Sequence, residues 1–342
     1  MLTGDEIVNY RKLGKTGLQV SEIGFGGIPL QRVNLDEAVT VVQEALKLGI
    51  NFFDSARGYT DSEEKIGRAL QGVPRSEVLL ATKSGVHTKE EIKRDIEISL
   101  RNFRTDYLDL YQLHNLRGEE KVAQIFGPGG SWEGLKEAQK EGWVRFVGIT
   151  GHLPSLLLEL LEKESFDTVQ FPFNTVEQGG LPELLPYAQK HDIGTIIMKP
   201  LAGGALQHPA AALKYILKHD ISVAIPGMRS AAEVRENAAA AGAALSEAEE
   251  KRLREETERL GARFCRRCDY CQPCPQGIDI PSLMTLQRYS EGYGLHQWAL
   301  ERYREQKAKP GDCLQCGECE EKCPYDLPIR DLLQVCLRRF EG

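Results

Sequence analysis

From residue 20 to about residue 241, the chain alternates short runs of β-branched and apolar residues with longer stretches whose apolar positions recur every three or four residues. The short runs read as strands over 22–25, 51–54, 78–82, 108–113, 144–149, 168–171, 195–198 and 222–225. The longer stretches carry the helix period over 35–48, 64–71, 90–103, 132–141, 154–163, 182–191 and 209–218, with one more, 231–240, after the last strand. Eight strand-then-helix units in about 250 residues predict an α/β fold, a (β/α)8 TIM barrel. The competing doubly wound sheet would open its first turn on Gly-x-Gly-x-x-Gly. Here the segment reads Gly24-Phe-Gly-Gly-Ile and lacks the third glycine. Residues 10–20 predict a hairpin turning between Gly14 and Gly17, placed to plug the barrel bottom. Residues 115–131 read as a loop, with Gly127-Pro-Gly-Gly130 as a turn.

The pattern changes after residue 245. Residues 246–260 form a charged helical stretch, with Ser246-x-x-Glu249 as a capping box. Beyond it, 280–289 and 296–307 are helix-like. The expected organisation is a barrel with its hairpin over 1–245, a linking helix over 246–262, and a small, mainly helical domain over 263–342.

Eight of the nine cysteines fall in that last part, in two matching runs. The first is Cys265-x2-Cys268-x2-Cys271-x2-Cys274-Pro275, and the second is Cys313-x2-Cys316-x2-Cys319-x3-Cys323-Pro324. Cysteines two residues apart are crowded for disulfides, and four-cysteine zinc sites normally come as separated pairs. Two tandem runs ending in Cys-Pro point instead to two [4Fe–4S] clusters. The second run resembles the spacing of bacterial two-cluster ferredoxins, and the first departs from it by one residue. That resemblance implies crossed ligation. Cys265, Cys268 and Cys271 share one cluster with Cys323, and Cys313, Cys316 and Cys319 share the other with Cys274. Cys336, in an apolar helical stretch, reads as a small packed hydrophobe.

Composition sets limits. With 342 residues, 41% of them hydrophobic, the chain can build one large domain and a small one. A formal net charge of −7 argues against nucleic-acid and anionic-membrane partners. No apolar stretch approaches the ~20 residues that span a bilayer. The start, Met1-Leu-Thr-Gly-Asp-Glu, has neither the basic nor the apolar region of a secretory signal. The expectation is a soluble, cytoplasmic protein.

In a TIM barrel the chemistry sits at the C-terminal ends of the strands. Those ends carry Asp54-Ser-Ala-Arg-Gly-Tyr59, Ala81-Thr-Lys83 and Tyr111-Gln-Leu-His114. A phenol is a poor proton donor near pH 7, and an adjacent ammonium improves it by stabilising the phenolate. Asp54 would hold Lys83, Lys83 would tune Tyr59, and Tyr59 would protonate a carbonyl oxygen as hydride reaches carbon. His114 would hydrogen-bond the same oxygen. This ordered set resembles the catalytic tetrad of the aldo-keto reductase family over roughly residues 8–245. With the cysteine runs, it resembles the branch that carries a C-terminal ferredoxin-like dicluster domain.

The resemblance implies a nicotinamide dinucleotide across the barrel top. Gln170 and Asn174 match the family's Gln-x-x-x-Asn segment. Thr150 stands where the family has Ser-Asn, followed by Gly151 and His152. Met198 replaces the aromatic ring that stacks on nicotinamide, and Pro200, Leu201 and the Gly203-Gly204 pair follow it. After the eighth strand, Gly227 and Met228 occupy the Lys and Ser positions of the NADP-preferring pattern, and Glu233 occupies its Arg. Arg229 is the remaining candidate cation for a 2′-phosphate. Glu236 and Asn237 match the adenine-binding pair. The balance favours NADH or dual use over strict NADPH use.

The leading functional expectation is an NAD(P)H-dependent carbonyl reductase, or alcohol dehydrogenase in reverse, acting on a small carbonyl or alcohol. The alternative is a one-electron transfer protein that serves a redox partner through its clusters, with the barrel not reducing carbonyls. A third role for the clusters is structural, through metal-coupled folding. Hydride delivers two electrons together and a cubane passes one at a time, so coupling them ordinarily calls for a flavin. No flavin fingerprint stands out, and none is excluded.

Overall fold

The structure is a computed structural model of the chain, and it describes residues 8–261, 263–267, 270–323 and 325–342. The described residues gather into two compact units. The first holds most of the chain up to Ser246. The second holds Glu247–Gly342 with two short segments, Thr175–Glu177 and Leu201–Gln207. The helix after Ser246, read from sequence as a separate connector, thus gathers with the second unit.

In the first unit, strands β1 (Tyr10–Lys12) and β2 (Gln19–Ser21) form an antiparallel hairpin with Arg11 opposite Val20. Eight further strands follow among the described residues. These are β3 (Phe25–Gly26), β4 (Phe52–Asp54), β5 (Leu79–Ser84), β6 (Leu108–Leu116), β7 (Val144–Gly151), β8 (Thr168–Pro172), β9 (Gly194–Met198) and β10 (Val223–Ala224). They pair in parallel and in chain order. The first and last strands meet through the bridges Ile23–Ala224 and Gly26–Gly227, and Gly24 N donates to Ala224 O at 2.8 Å. The sheet is therefore closed into the predicted barrel. Closure depends on Gly26, where a Cβ would lie 2.7 Å from Pro226 O.

Leu13, in the hairpin turn, has no exposure and packs in one cluster with Phe52, Leu79, Ala81, Leu110, Ile196 and Val223. A Cβ on Gly194, at the start of β9, would lie 2.7 Å from the Leu13 side chain. The hairpin thus covers the N-terminal ends of the strands and leaves the opposite mouth to the chemistry.

The helices of this unit are α1 (Leu35–Lys47), α2 (Ser62–Ala69), α3 (Lys89–Phe103), α4 (Glu119–Phe126), α5 (Ser131–Lys140), α6 (Pro154–Lys163), α7 (Leu184–Lys190), α8 (Pro209–Leu217) and α9 (Ala231–Ala238). Capping boxes start two of them, Asn34 with Glu37 on α1 and Thr88 with Glu91 on α3. Helix α1 buries Ala38, Val41, Val42 and Ala45, the i, i+3, i+4, i+7 stripe that faces a sheet. Each fully buried valine there stabilises the fold by roughly 1.5–3 kcal/mol relative to exposure. Helix α4 lies in the stretch read from sequence as loop. It is short, and Gly118 and Gly127-Pro128 flank it, so breakers hide its Val122, Ile125 and Phe126 spacing. Strands β3 and β10 are also shorter than their hydrophobic runs, because glycines and Pro226 interrupt the ladder at the closure.

The second unit contains α10 (Glu247–Gly261), α11 (Ile280–Gly292), α12 (His296–Arg304), α13 (Glu318–Glu321) and α14 (Ile329–Glu341). Its core joins Ile278, Ile280, Leu283 and Met284 to Leu327, Ile329, Leu332 and Leu333. These eight residues expose an internal repeat longer than the cysteine runs. Helix α11 begins six residues after Cys274, and α14 begins six residues after Cys323. Positive φ recurs at matching places. Arg267 (φ 59°) and Gln315 (φ 58°) each stand two residues after the first cysteine of their run, and Gly277 (φ 71°) and Asp326 (φ 49°) each stand three after the last. The same apolar rows then pack against each other from the two halves. Among the described residues no helix is long and apolar enough to cross a membrane.

Candidate active site and cluster sites

Side chains alternate across a strand, so one row on each barrel strand faces inward. On β4 that row is Phe52 then Asp54. On β5 it is Leu79, Ala81 and Lys83, and on β6 it is Leu110, Gln112 and His114. The lower members are apolar and join the cluster around Leu13. The upper members are polar, and they are the predicted chemistry.

Lys83 Nζ donates to Asp54 Oδ1 at 2.5 Å and to Ser55 O at 2.7 Å. Both side chains are almost fully buried, at 1% and 3% exposure. Burial pushes the Asp54 pKa up, against the pull of Lys83 and Gln170. Burial pushes Lys83 down, against the pull of Asp54. The ammonium lies 5.4 Å from the centre of the Tyr59 ring. Tyr59 and His114 meet edge to face, with ring centres 6.1 Å apart and planes at 87°. His114 is pushed down to about 3, by burial first and then by Lys83 and Lys199, so its imidazole is neutral at pH 7. The four residues of the predicted tetrad therefore converge on one mouth.

The loop carrying Tyr59 is fastened in a way the sequence reading missed. Ser55 N donates to Ala81 O and Arg57 N to Lys83 O, both at 2.9 Å, which extends the ladder past β4. Arg57 pairs with Glu63 at 2.7 Å. Buried Glu63 also accepts from Thr82 (2.7 Å), Ser99 (2.8 Å) and Asn102 (2.9 Å). A carboxylate with four donors, one from the turn, one from β5 and two from α3, fixes the turn to the barrel wall. The only sequence signal for it was an acidic residue in the first turn of α2. Gln112 was missed as well. Its Nε2 donates to Gln170 Oε1 at 2.8 Å, and both residues are buried.

The cofactor candidates fall in different places. Thr150 is buried, and its hydroxyl accepts from Asn115 N at 2.9 Å, next to His114. Asn174 is buried, and its Nδ2 donates to Lys199 O at 3.0 Å. Met198 ends β9 half-buried, followed by buried Pro200. Two buried acceptors, Asp54 Oδ2 and Gln112 Oε1, lack partners among the described residues. Unmet acceptors of this kind suit a ligand that brings N–H or O–H donors, as a nicotinamide carboxamide does. Gly227 sits at the barrel closure, where a Cβ would lie 2.7 Å from Pro29. Met228 is fully buried and so presents nothing to a phosphate. Arg229 is held by Glu233, which accepts from its Nε at 3.0 Å and its backbone N at 2.8 Å. Glu236 is exposed and Asn237 buried on α9. Leu201 and Gly203 belong to the second unit. There Gly203 (φ 68°) leaves a Cβ only 3.2 Å from Arg288 Cδ, and a Cβ on Gly292 would lie 2.8 Å from Gly203 O. That close approach to α11 accounts for the glycine.

In the second unit the cysteines line two cavities. Cys274, Cys313, Cys316 and Cys319 line the first. Cys265 and Cys323 line the second, and Cys271 borders both. Cys268 lies outside the described residues. Among the described residues no three His, Cys, Asp or Glu groups converge on a single ion position. The thiols are instead spread around two spaces, and Gln315 N donates to Cys313 Sγ at 3.4 Å. This donor set and its partition fit two iron–sulfur clusters. Cys336 stands apart. It is fully buried, with its thiol pushed up to about 12 by burial.

Comparison with known proteins agrees with this geometry. Residues 22–210, more than half of the chain, match the Aldo/keto reductase family. Residues 264–328 match the 4Fe-4S dicluster domain. The L-galactose dehydrogenase of Arabidopsis thaliana is 33% identical over 283 residues, covering 68% of this chain and 88% of that protein. The NADH-specific methylglyoxal reductase of Escherichia coli is 26% identical over 323 residues, covering 72% and 98%. The holo form of an aldo-keto reductase from Bacillus halodurans superposes with a TM-score of 0.62 at 28% identity, covering 74% of this chain and 96% of that one. Barrel, strand-end chemistry and sequence kinship lead to one statement: this chain is an oxidoreductase that belongs to the aldo/keto reductase family and carries a C-terminal 4Fe–4S dicluster domain.

Proposed function

We propose that the barrel catalyses NAD(P)H-linked reduction of a small carbonyl, or the reverse oxidation of an alcohol, and that residues 263–342 hold two [4Fe–4S] clusters. The observation that carries the reading is the buried Asp54–Lys83 pair, whose ammonium faces the Tyr59 ring while His114 meets that ring edge-on. Bound nicotinamide supplies the hydride, and the remaining work falls to side chains. Tyr59 gives its phenolic proton to the carbonyl oxygen. Lys83 stabilises the phenolate that remains, and Asp54 keeps the ammonium in place. His114, neutral because burial and two ammoniums depress it, donates an N–H to the same oxygen. Without these donors the alkoxide would form unaided in a site with little water, a cost of several kcal/mol.

Thr150, Gln170 and Asn174 are the residues for the carboxamide, Met198 for the ring face, and Arg229, Glu236 and Asn237 for the adenosine end. NADH is the favoured cofactor. Glu233 already occupies Arg229, and one relative is named as NADH-specific. The relatives act on a sugar and on methylglyoxal by their names, so the substrate class is a small polar carbonyl or its alcohol. A cytoplasmic setting suits the thiol-rich domain.

For the clusters, Cys265, Cys268, Cys271 and Cys323 serve one cubane, and Cys274, Cys313, Cys316 and Cys319 serve the other. They supply one-electron chemistry toward a redox partner and join the two halves of the repeat. The test is anaerobic purification with iron and sulfide analysis, followed by turnover with NADH deuterated at C4 and a panel of small carbonyls. Deuterium at the product carbinol carbon is the expected result. Cluster reduction without deuterium transfer to any carbonyl would make the chain an electron-transfer protein instead.

A further inference from the structure

The two halves of the cysteine domain share a backbone plan but not a charge. Between the first two cysteines, the first run has Arg266-Arg267 and the second has Leu314-Gln315. Arg267 and Gln315 share the same left-handed backbone, with φ 59° and 58°. On the paired helices, Arg288 of α11 corresponds to Leu337 of α14. One half therefore places three guanidiniums where the other places neutral side chains.

Those guanidiniums are gathered at one cysteine group. Arg266 lines the cavity of Cys265, Cys271 and Cys323, and stacks 4.0 Å over the Tyr325 ring. Arg288 lies 3.8 Å over the ring of Phe264, the neighbour of Cys265, and Arg267 lies 5.9 Å from the same ring. Arg267 is buried and pairs with the buried carboxylate of Glu177. Among the described residues of this group, the ion pair is that of Arg267 with Glu177. At the other cavity a single guanidinium, Arg330, is matched by Glu320 at 2.6 Å.

We infer, resting on the two-cluster reading above, that the arginine group of the first repeat gives the cubane held by Cys265, Cys271 and Cys323 the higher reduction potential of the two. Net charge around a cluster is one of the levers that set its potential. Reduction adds one negative charge to the cubane, which nearby cations stabilise. Exposure acts the other way, because water also favours the reduced form, and Cys316 at the other cavity is exposed. The guanidiniums prevail because Arg267 acts from a buried and Arg288 from a half-buried position, where solvent and salt screen them less than at the surface. One electron shared between the cubanes then rests on the arginine-flanked one, which is reduced from 2+ to 1+ while its neighbour is oxidised from 1+ to 2+. No proton moves.

The test is a dithionite redox titration of the anaerobic holoprotein, read by electron paramagnetic resonance, on wild type, Arg288→Met and Glu177→Gln. Wild type should give two midpoints. Arg288→Met should move one of them, the higher, to more negative potential. Glu177→Gln, which removes the carboxylate paired with Arg267, should move that same midpoint to more positive potential. Opposite signs on one midpoint cannot come from general loosening of the domain. Iron-replete variants whose midpoints stay put, or shift in the same direction, overturn the inference. A preparation without iron overturns the cluster reading itself, so the two failures are distinct.

Discussion

Replacing Lys83 by Met removes one partner of a pair buried at 1% and 3% exposure, and leaves Asp54 as an uncompensated carboxylate inside the barrel. Breaking such a pair from one side costs about 3–5 kcal/mol, whereas removing both charges together is often close to neutral. For a unit of this size each kcal/mol is worth roughly 2–4 °C, so Lys83→Met should lower the melting temperature by about 10 °C. Asp54→Asn/Lys83→Met should recover more than half of that loss, while both proteins remain inactive. Burial already pushes Asp54 upward, and without Lys83 nothing strong opposes it. A carboxyl with a raised folded pKa costs stability above that pKa and stops costing it as the pH falls and it protonates. The penalty in Lys83→Met should therefore shrink toward acid. The assay is urea unfolding by circular dichroism under anaerobic conditions, as a double-mutant cycle, so that the second unit contributes equally to every corner. A double variant no more stable than the single one would refute the claim that the cost is an orphaned charge.

Three further outcomes follow from the same geometry. His114 is held near 3 against an ordinary 6.5, so the unfolded chain takes up its proton first, and stability falls as pH drops from 7 toward 3. At pH 5 this amounts to about 2 kcal/mol, and His114→Asn should remove that share of the slope in urea midpoints measured from pH 8 to pH 5. Glu233→Gln frees Arg229 from an exposed pair worth about 0–1 kcal/mol, so the KM for NADPH should improve up to about 5-fold relative to that for NADH. An unchanged ratio would place the 2′-phosphate elsewhere. Cys316→Ser should lower iron and sulfide by about half, since one of two cubanes loses a thiolate, with the barrel tetrad unaffected.

Much of this was legible because two kinds of periodicity write themselves into the chain. The strand run ending in Thr82-Lys83 places polar residues above apolar ones, and Asp54, Lys83 and His114 could be placed at the mouth because each stands at the C-terminal end of its strand. The cysteine runs were legible because ligand spacing is local. What escaped was non-local or masked by breakers. Helix α4 is bracketed by Gly118 and Gly127-Pro128. Glu63 looks like any acidic residue at a helix start, and only the folded chain brings Arg57, Thr82, Ser99 and Asn102 to it. The longer repeat escaped because its halves share positions of left-handed backbone and burial more than they share residues. The repeat gains meaning where it is broken, at Arg266, Arg267 and Arg288.

The central claim is that a phenol, primed by a buried ammonium, protonates the substrate in a protein that separately holds iron–sulfur clusters. Tyr59→Phe tests it most directly, in a single-turnover transfer from NADH deuterated at C4 by the anaerobic, iron-replete enzyme. Losing a general acid should slow the transfer at least about 100-fold while the iron–sulfur spectrum stays that of wild type. Transfer at the wild-type rate, with clusters intact, would contradict the account.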